Sequence, residues 1–202
     1  MPHGFAQRKL ASSAAHLNAR SPHAGRVPSL VLMTDDDRLA DPIAAARALP
    51  KGAMIVVRSR DAARRLTLAR ELMAVAKARA LIVLIANDAR LAAQCGADGL
   101  HLSQAQAHLA PHWRALRPRW FMTAAVHDSR SAILCKSVDA LFLAPIFATR
   151  SHPQSTPLTP VRANRMAQAL RIPVYALGGV TPRNARLLHG FSGIAAIGAL
   201  SV

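Results

Sequence analysis

Residues 81–104 read LIVLIANDARLAAQCGADGLHLSQ, and this stretch decides the fold. Leu81–Asn87 is apolar almost without a break, which suits a strand buried on both faces of a parallel sheet. Residues 89–95 then carry helical spacing, and Gly96 stands where that helix should end. Gly99–Ser103 is a second buried run. A strand, a short helix and a further strand in so little chain form the crossover unit of a parallel sheet.

Working outward, the same unit repeats. β-like runs fall at Leu30–Thr34, Met54–Arg58, Phe121–His127, Ala140–Phe147, Val174–Leu177 and Gly193–Ile197. Helix-like segments lie between them at about 40–49, 61–78, 104–116, 129–137, 160–171 and 181–189. Asp41-Pro42 and Thr181-Pro182 each place an N-cap before a first-turn proline. Gly190 marks a further helix end. Eight strands with seven intervening helices are the count for an α/β protein of the (β/α)8 TIM-barrel class. A doubly wound open sheet usually needs fewer strands, and no Gly-x-Gly-x-x-Gly follows the first run. The chain stops soon after the eighth strand, so the last helix should be truncated or missing, and an extra N-terminal helix is available to compensate.

That division predicts a basic helix or arm over residues 1–27 and a barrel over 28–202. The first segment holds Arg8, Lys9, Arg20 and Arg26 and no acid. It reads either as a basic presequence or as a helix covering the bottom of the barrel. Nothing upstream resembles a secretory signal, and no apolar run is long enough for a bilayer span. A cytoplasmic protein is expected. Cys95 and Cys135 are too few for a disulfide framework or a metal cluster and read as reduced core thiols. The formal net charge is +16. Such a balance favours anionic partners, but the cations are scattered, with no long Lys/Arg block, zinc-finger spacing or aromatic-rich RNA motif. Specific nucleic-acid binding is not expected.

In this fold the active site lies at the carboxyl ends of the strands. The candidates there, in strand order, are Thr34 and Asp35; Arg58 and Arg60; Asn87 and Asp88; His101, Ser103 and Gln104; His127 and Asp128; Thr149, Arg150, Ser151 and His152; Gly178 and Gly179; and Gly198. Arg58 and Arg60 alternate, so in an extended segment they point the same way, as bidentate phosphate recognition would use. They also read as two loop arginines among many. Glycines at 178, 179 and 198 let backbone N–H groups approach an anion, or simply shape a tight turn.

Taken together, several segments resemble the thiamine-phosphate synthase/TenI family. They are LMTD (32–35), VVRSR (56–60), IAND (85–88), GADGLHLSQ (96–104), APIFAT (144–149) and PVYALGGV (173–180). The resemblance covers residues 28–200. The synthase joins a pyrimidine diphosphate to a thiazole phosphate with release of pyrophosphate and uses magnesium; TenI-like proteins include a thiazole tautomerase. The resemblance implies that Arg58, helped by Asn87, holds pyrophosphate. It implies that Asp88 binds Mg2+, and that Gly179, Ile197 and Gly198 cradle the thiazole phosphate. The partners it implies are phosphorylated thiazole and pyrimidine small molecules.

The departures are specific. Arg60 replaces a lysine. Gln106 replaces the second magnesium aspartate, which weakens the Mg2+ site, since magnesium relies on carboxylates. Ala125 and Gly198 each replace a serine. Thr149-Arg150-Ser151-His152 replaces Thr-x-Thr-Lys. His127 stands where the TenI branch uses a histidine for proton transfer, and where synthases often have a histidine as well. The expectation is therefore an enzyme of thiamine biosynthesis, synthase or tautomerase, with part of its pyrophosphate–magnesium apparatus gone. A non-catalytic phospholigand-binding or regulatory barrel is the alternative, and a nucleic-acid-binding protein a third. The third predicts a continuous basic stripe outside the barrel mouth.

Overall fold

A computed structural model of the chain describes residues 3–149 and 156–201. Eight parallel strands close into one barrel in chain order. They are β1 (Leu30–Met33), β2 (Met54–Val57), β3 (Ile82–Ala86), β4 (Gly99–Leu102), β5 (Phe121–Val126), β6 (Ala140–Leu143), β7 (Val174–Ala176) and β8 (Gly193–Ala196). Closure is by β8 on β1, with Leu30 opposite Ile194 and Leu32 opposite Ala196. Every residue of β1, β2 and β6 is buried, as expected when one face fills the barrel and the other lies under helices. The GADG segment has a structural role. Asp98 Oδ2 accepts the Val83 N–H at 2.7 Å, and a Cβ on Gly99 would lie 1.9 Å from Phe121 O.

The helices are α1 (His3–Ala19), α2 (Pro42–Arg47), α3 (Ala62–Arg79), α4 (Ala89–Cys95), α5 (Ala110–Leu116), α6 (Ser129–Leu134) and α7 (Pro160–Ala169). Aspartates cap four of them. The carboxylates of Asp41, Asp61, Asp88 and Asp128 accept the N–H of Ala44, Arg64, Leu91 and Ser131, which supplies partners to otherwise orphaned donors. Cys135 is buried, and burial pushes its thiol pKa up, as for a core thiol. Among the described residues no helix is long and apolar enough to cross a membrane.

Three expectations are corrected. The segment 104–116 is a 3-10 turn over Gln104–Leu109 followed by α5. Pro111 lacks an N–H, so it suits only the first turn of a new helix. The segment 181–189 holds only a 3-10 turn, Ala185–Leu187. There Thr181 and Asn184 bond reciprocally through side chain and backbone, and Asn184 Nδ2 donates to Gly179 O at 2.8 Å. Such local bonds offer the backbone an alternative to the helix.

The third correction concerns α1, which does not cover the bottom of the barrel. It packs against β8, β1 and the 3-10 turns after β7 and β8, in the lateral place of an eighth helix. Leu10, Ala14 and Leu17 face the wall. Asn18 pins the end of α1, donating to Ser192 O at 2.5 Å and accepting from Gly25 N at 3.0 Å.

Candidate active site

The carboxyl ends of β1 and β2 are buttoned together by Thr34. Its Oγ1 donates to Arg58 O and accepts from Arg58 N, each at 2.7 Å. Beside it Asp35, only 7% exposed, accepts from Arg38 Nη2 at 2.6 Å and Arg58 Nη2 at 2.8 Å. The hydrogen bond from Arg38 is the main cause that holds the Asp35 carboxyl down, at about 2. Arg60 pairs instead with Asp37, farther out in solvent. The two arginines that sequence spacing aims in one direction are thus held by different carboxylates. Asp36 completes the cluster, accepting from Arg60 N at 2.9 Å and Ser59 Oγ at 3.1 Å.

Asn87 bridges β3 and β4. Its N–H donates to His101 O at 2.8 Å, and its Oδ1 accepts from Ser103 N at 2.7 Å. It does so at φ 57, a left-handed conformation that asparagine tolerates better than most residues. Asp88 follows, and both its oxygens are engaged. Oδ1 accepts from Leu91 N at 2.9 Å, and Oδ2 accepts from Arg65 Nη2 at 3.1 Å. Gln106 lies in the 3-10 turn after β4. Among the described residues no group of three or more His, Cys, Asp or Glu could hold a metal ion. A lone carboxylate already occupied by a helix N–H and a guanidinium, with Gln106 in place of a second acid, does not fit a magnesium site, which relies on carboxylates.

His101 is not a strand-end residue but part of β4. It lies inside the barrel, its Nδ1 2.8 Å from Thr123 Oγ1 and its ring edge-on to Phe142 at 4.7 Å. Burial, helped by the charge of Arg58, lowers its pKa to about 3, so it is neutral. His127 is exposed after β5. Its Nδ1 is 2.6 Å from the carbonyl of Ala144, which can only accept, so Nδ1 carries a proton and, in the neutral ring, the lone pair is on Nε2. Gln104 Oε1 accepts from His127 N at 2.9 Å.

Gly178 and Gly179 make the turn after β7 at φ 93 and 65. They also pack on the loop after β6, since a Cβ at Gly179 would lie 2.5 Å from Ala148 O. Gly198 differs. Its nearest neighbour to a added Cβ would be Arg38 O at 3.5 Å, an ordinary contact. Ile197, nearly buried, precedes it and turns the chain at the end of β8. Thr149 ends the described part of the β6 loop; Arg150, Ser151 and His152 lie outside the described residues.

This mouth carries arginines after β2, an Asn-Asp pair after β3 and glycine turns after β7 and β8. The sequence profile described as "Thiamine monophosphate synthase" matches residues 30–200. The chain belongs to the thiamine monophosphate synthase family. It is 31% identical over 156 residues to a putative thiamine-phosphate synthase 2 of Aquifex aeolicus, covering 74% of this chain and 83% of that one. It is 33% identical over 190 residues to a thiamine-phosphate synthase of Chlorobium luteolum, covering 90% and 87%. A solved thiamine phosphate pyrophosphorylase from Pyrococcus furiosus superposes with a TM-score of 0.70 at 19% identity, covering 90% of this chain and 87% of that one, which shows a shared fold.

Within this family member, sequence reasoning missed Arg38, Arg65 and the acids at 36 and 37. Arg38 stands only three residues from Asp35 and was within reach of a local reading, whereas Arg65 is 23 residues from Asp88 and only the folded barrel brings it there. The run Asp35-Asp36-Asp37 was a legible signal, because three of the chain's ten acids stand together at one strand end.

Proposed function

We propose that the barrel mouth binds a thiazole phosphate and a pyrimidine diphosphate through arginines and backbone N–H groups, without a bound magnesium, and that it joins them slowly. Membership of the thiamine monophosphate synthase family supports the substrate class. The observation that carries the rest is Asp88, whose two oxygens are taken by Leu91 N–H and Arg65. A departing pyrophosphate needs its charge neutralised where it develops. In this reading Arg58 and Arg60 supply that charge after exchanging Asp35 and Asp37 for phosphate oxygens, and Asn87 offers its amide N–H groups. Gly179, Ile197 and Gly198 line the thiazole-phosphate end, with Thr149 on the loop after β6.

The purified chain is assayed with both synthase substrates, with and without magnesium. Slow, magnesium-indifferent release of pyrophosphate is the expected result. Turnover at an ordinary enzyme rate that collapses on chelation sinks the reading.

A second reading rests on His127. Its Nε2 lone pair, set by the Nδ1 bond to Ala144 O, suits a general base in thiazole tautomerisation. Under this reading His127→Ala lowers tautomerisation about a hundredfold or more while thiazole-phosphate affinity holds. An unchanged rate removes His127 from the chemistry.

A further inference from the structure

All ten acidic residues of the chain lie between Asp35 and Asp139. The segments 1–34 and 140–202 hold no Asp or Glu. They are the two ends of the chain, but β8 pairs with β1, so the barrel places them side by side. The sector from β6 through β7 and β8 to β1 is therefore one continuous acid-free wall. Its outer layer is α7, the Ala185–Leu187 turn and α1, and α1 packs on that turn. Arg8, Arg20, Arg162, Arg165, Arg183 and Arg186 are all exposed on it. The ion pairs of Arg38, Arg58, Arg60, Arg64, Arg65 and Arg114 all use acids outside this sector or at its borders. Cations that look scattered in sequence thus form one face.

The face is not flat. Because the β7–β8 connection is a single 3-10 turn and not a helix, a cleft of about 810 Å³ opens between it and α1. Ser12, Ser13 and His16 line it from α1 and Arg20 from just past its end, with Arg186 and His189 on the other wall. It lies on the outer wall of the barrel, apart from the mouth.

We propose that this face binds double-stranded nucleic acid through the phosphate backbone, without regard to base sequence. Guanidinium groups pair with phosphates bidentately, and a wall without carboxylates repels none of them. The helix α1 alone is about 25 Å long, enough to follow several successive phosphates. Single strands are disfavoured, because their binding uses several exposed aromatic platforms, and among the described aromatics of this sector Phe142, Tyr175 and Phe191 are fully buried and Phe147 is half-buried. An anionic membrane is disfavoured as well. The apolar side of α1 is spent on the barrel wall, and among the described residues of the sector only Val161 and Leu187 are large exposed apolar groups. A tight protein partner would look for a broad apolar centre, and the described residues of this face offer only those two aliphatic side chains.

The test is fluorescence anisotropy of the full chain with labelled DNA and RNA duplexes of unrelated sequence, over a salt series. Affinity should fall linearly in a log–log plot and be alike for the sequences. Arg20→Ala with Arg186→Ala should make that slope shallower by about two. Arg70→Ala with Arg119→Ala, an equal loss of charge from exposed sites on the acid-bearing side, should leave it unchanged. Thermal melts of both double variants confirm that each is folded. No binding at low salt, an equal loss in both pairs, or preference for single strands, anionic vesicles or an acidic polypeptide would overturn the proposal.

Discussion

Arg65 Nη2 stands 3.1 Å from Asp88 Oδ2, on the carboxylate whose other oxygen caps α4. The guanidinium thus lies where a cation would neutralise Asp88, and it is fixed from behind by Nη1 donating to Ser59 O at 3.1 Å. Calorimetry with inorganic pyrophosphate should show an affinity that changes less than about threefold when magnesium is added. The variant Arg65→Ala with Gln106→Asp should acquire a magnesium dependence of about tenfold or more. Strong magnesium dependence in the wild type would show that Asp88 releases Arg65 to a metal.

The two glycine loops should respond differently to a methyl group. Gly179→Ala forces a left-handed φ and meets Ala148 O, so it should lower stability by more than about 1 kcal/mol. Gly198→Ser meets only Arg38 O at ordinary contact and should melt within a few degrees of wild type. Gly198→Val should then weaken thiazole-phosphate binding at unchanged stability, which makes it a cleaner probe of the phosphate cradle than any change at Gly179. A Gly198→Val protein with full affinity argues against a cradle there.

His101 couples stability to pH. Its pKa is lowered to about 3 by burial, so below the unfolded value of 6.5 the unfolded chain takes up a proton that the folded barrel refuses. This contribution is intact above pH 6.5 and is lost progressively as pH falls toward 3. Urea unfolding of His101→Gln over that window should show a flatter pH dependence than wild type. Parallel curves would mean that His101 titrates freely in the fold.

Asp35 acts in a lower window. Its folded pKa of about 2 lies below the usual 3.8, so its stabilisation is present above pH 3.8 and disappears as pH falls through 2. Asp35→Asn, which leaves Arg38 and Arg58 without their shared carboxylate, should cost about 1.5–3 kcal/mol at neutral pH. It should also free Arg58 for a phosphate and tighten pyrophosphate binding. A loss of both stability and pyrophosphate affinity would show that Asp35 positions Arg58 and does not restrain it.

Much of this protein is determined by local chemistry along the chain. The eight buried apolar runs each became a strand, and the capping aspartates at 41, 61, 88 and 128 start helices through bonds made within three residues. The resemblance that pointed to the family rests on such strand-end segments. The tertiary structure decided what depends on partners far apart in sequence. Only closure of β8 on β1 brings the acid-free chain ends together and seats α1 in the lateral place of an eighth helix. Only the spacing of α3 and α4 sets Arg65 on Asp88, and only the barrel interior makes His101 neutral. Hydrogen bonds and apolar runs act over a few residues and can be read in order. Charge pairing, desolvation and packing act through space, so their outcome waits on the fold.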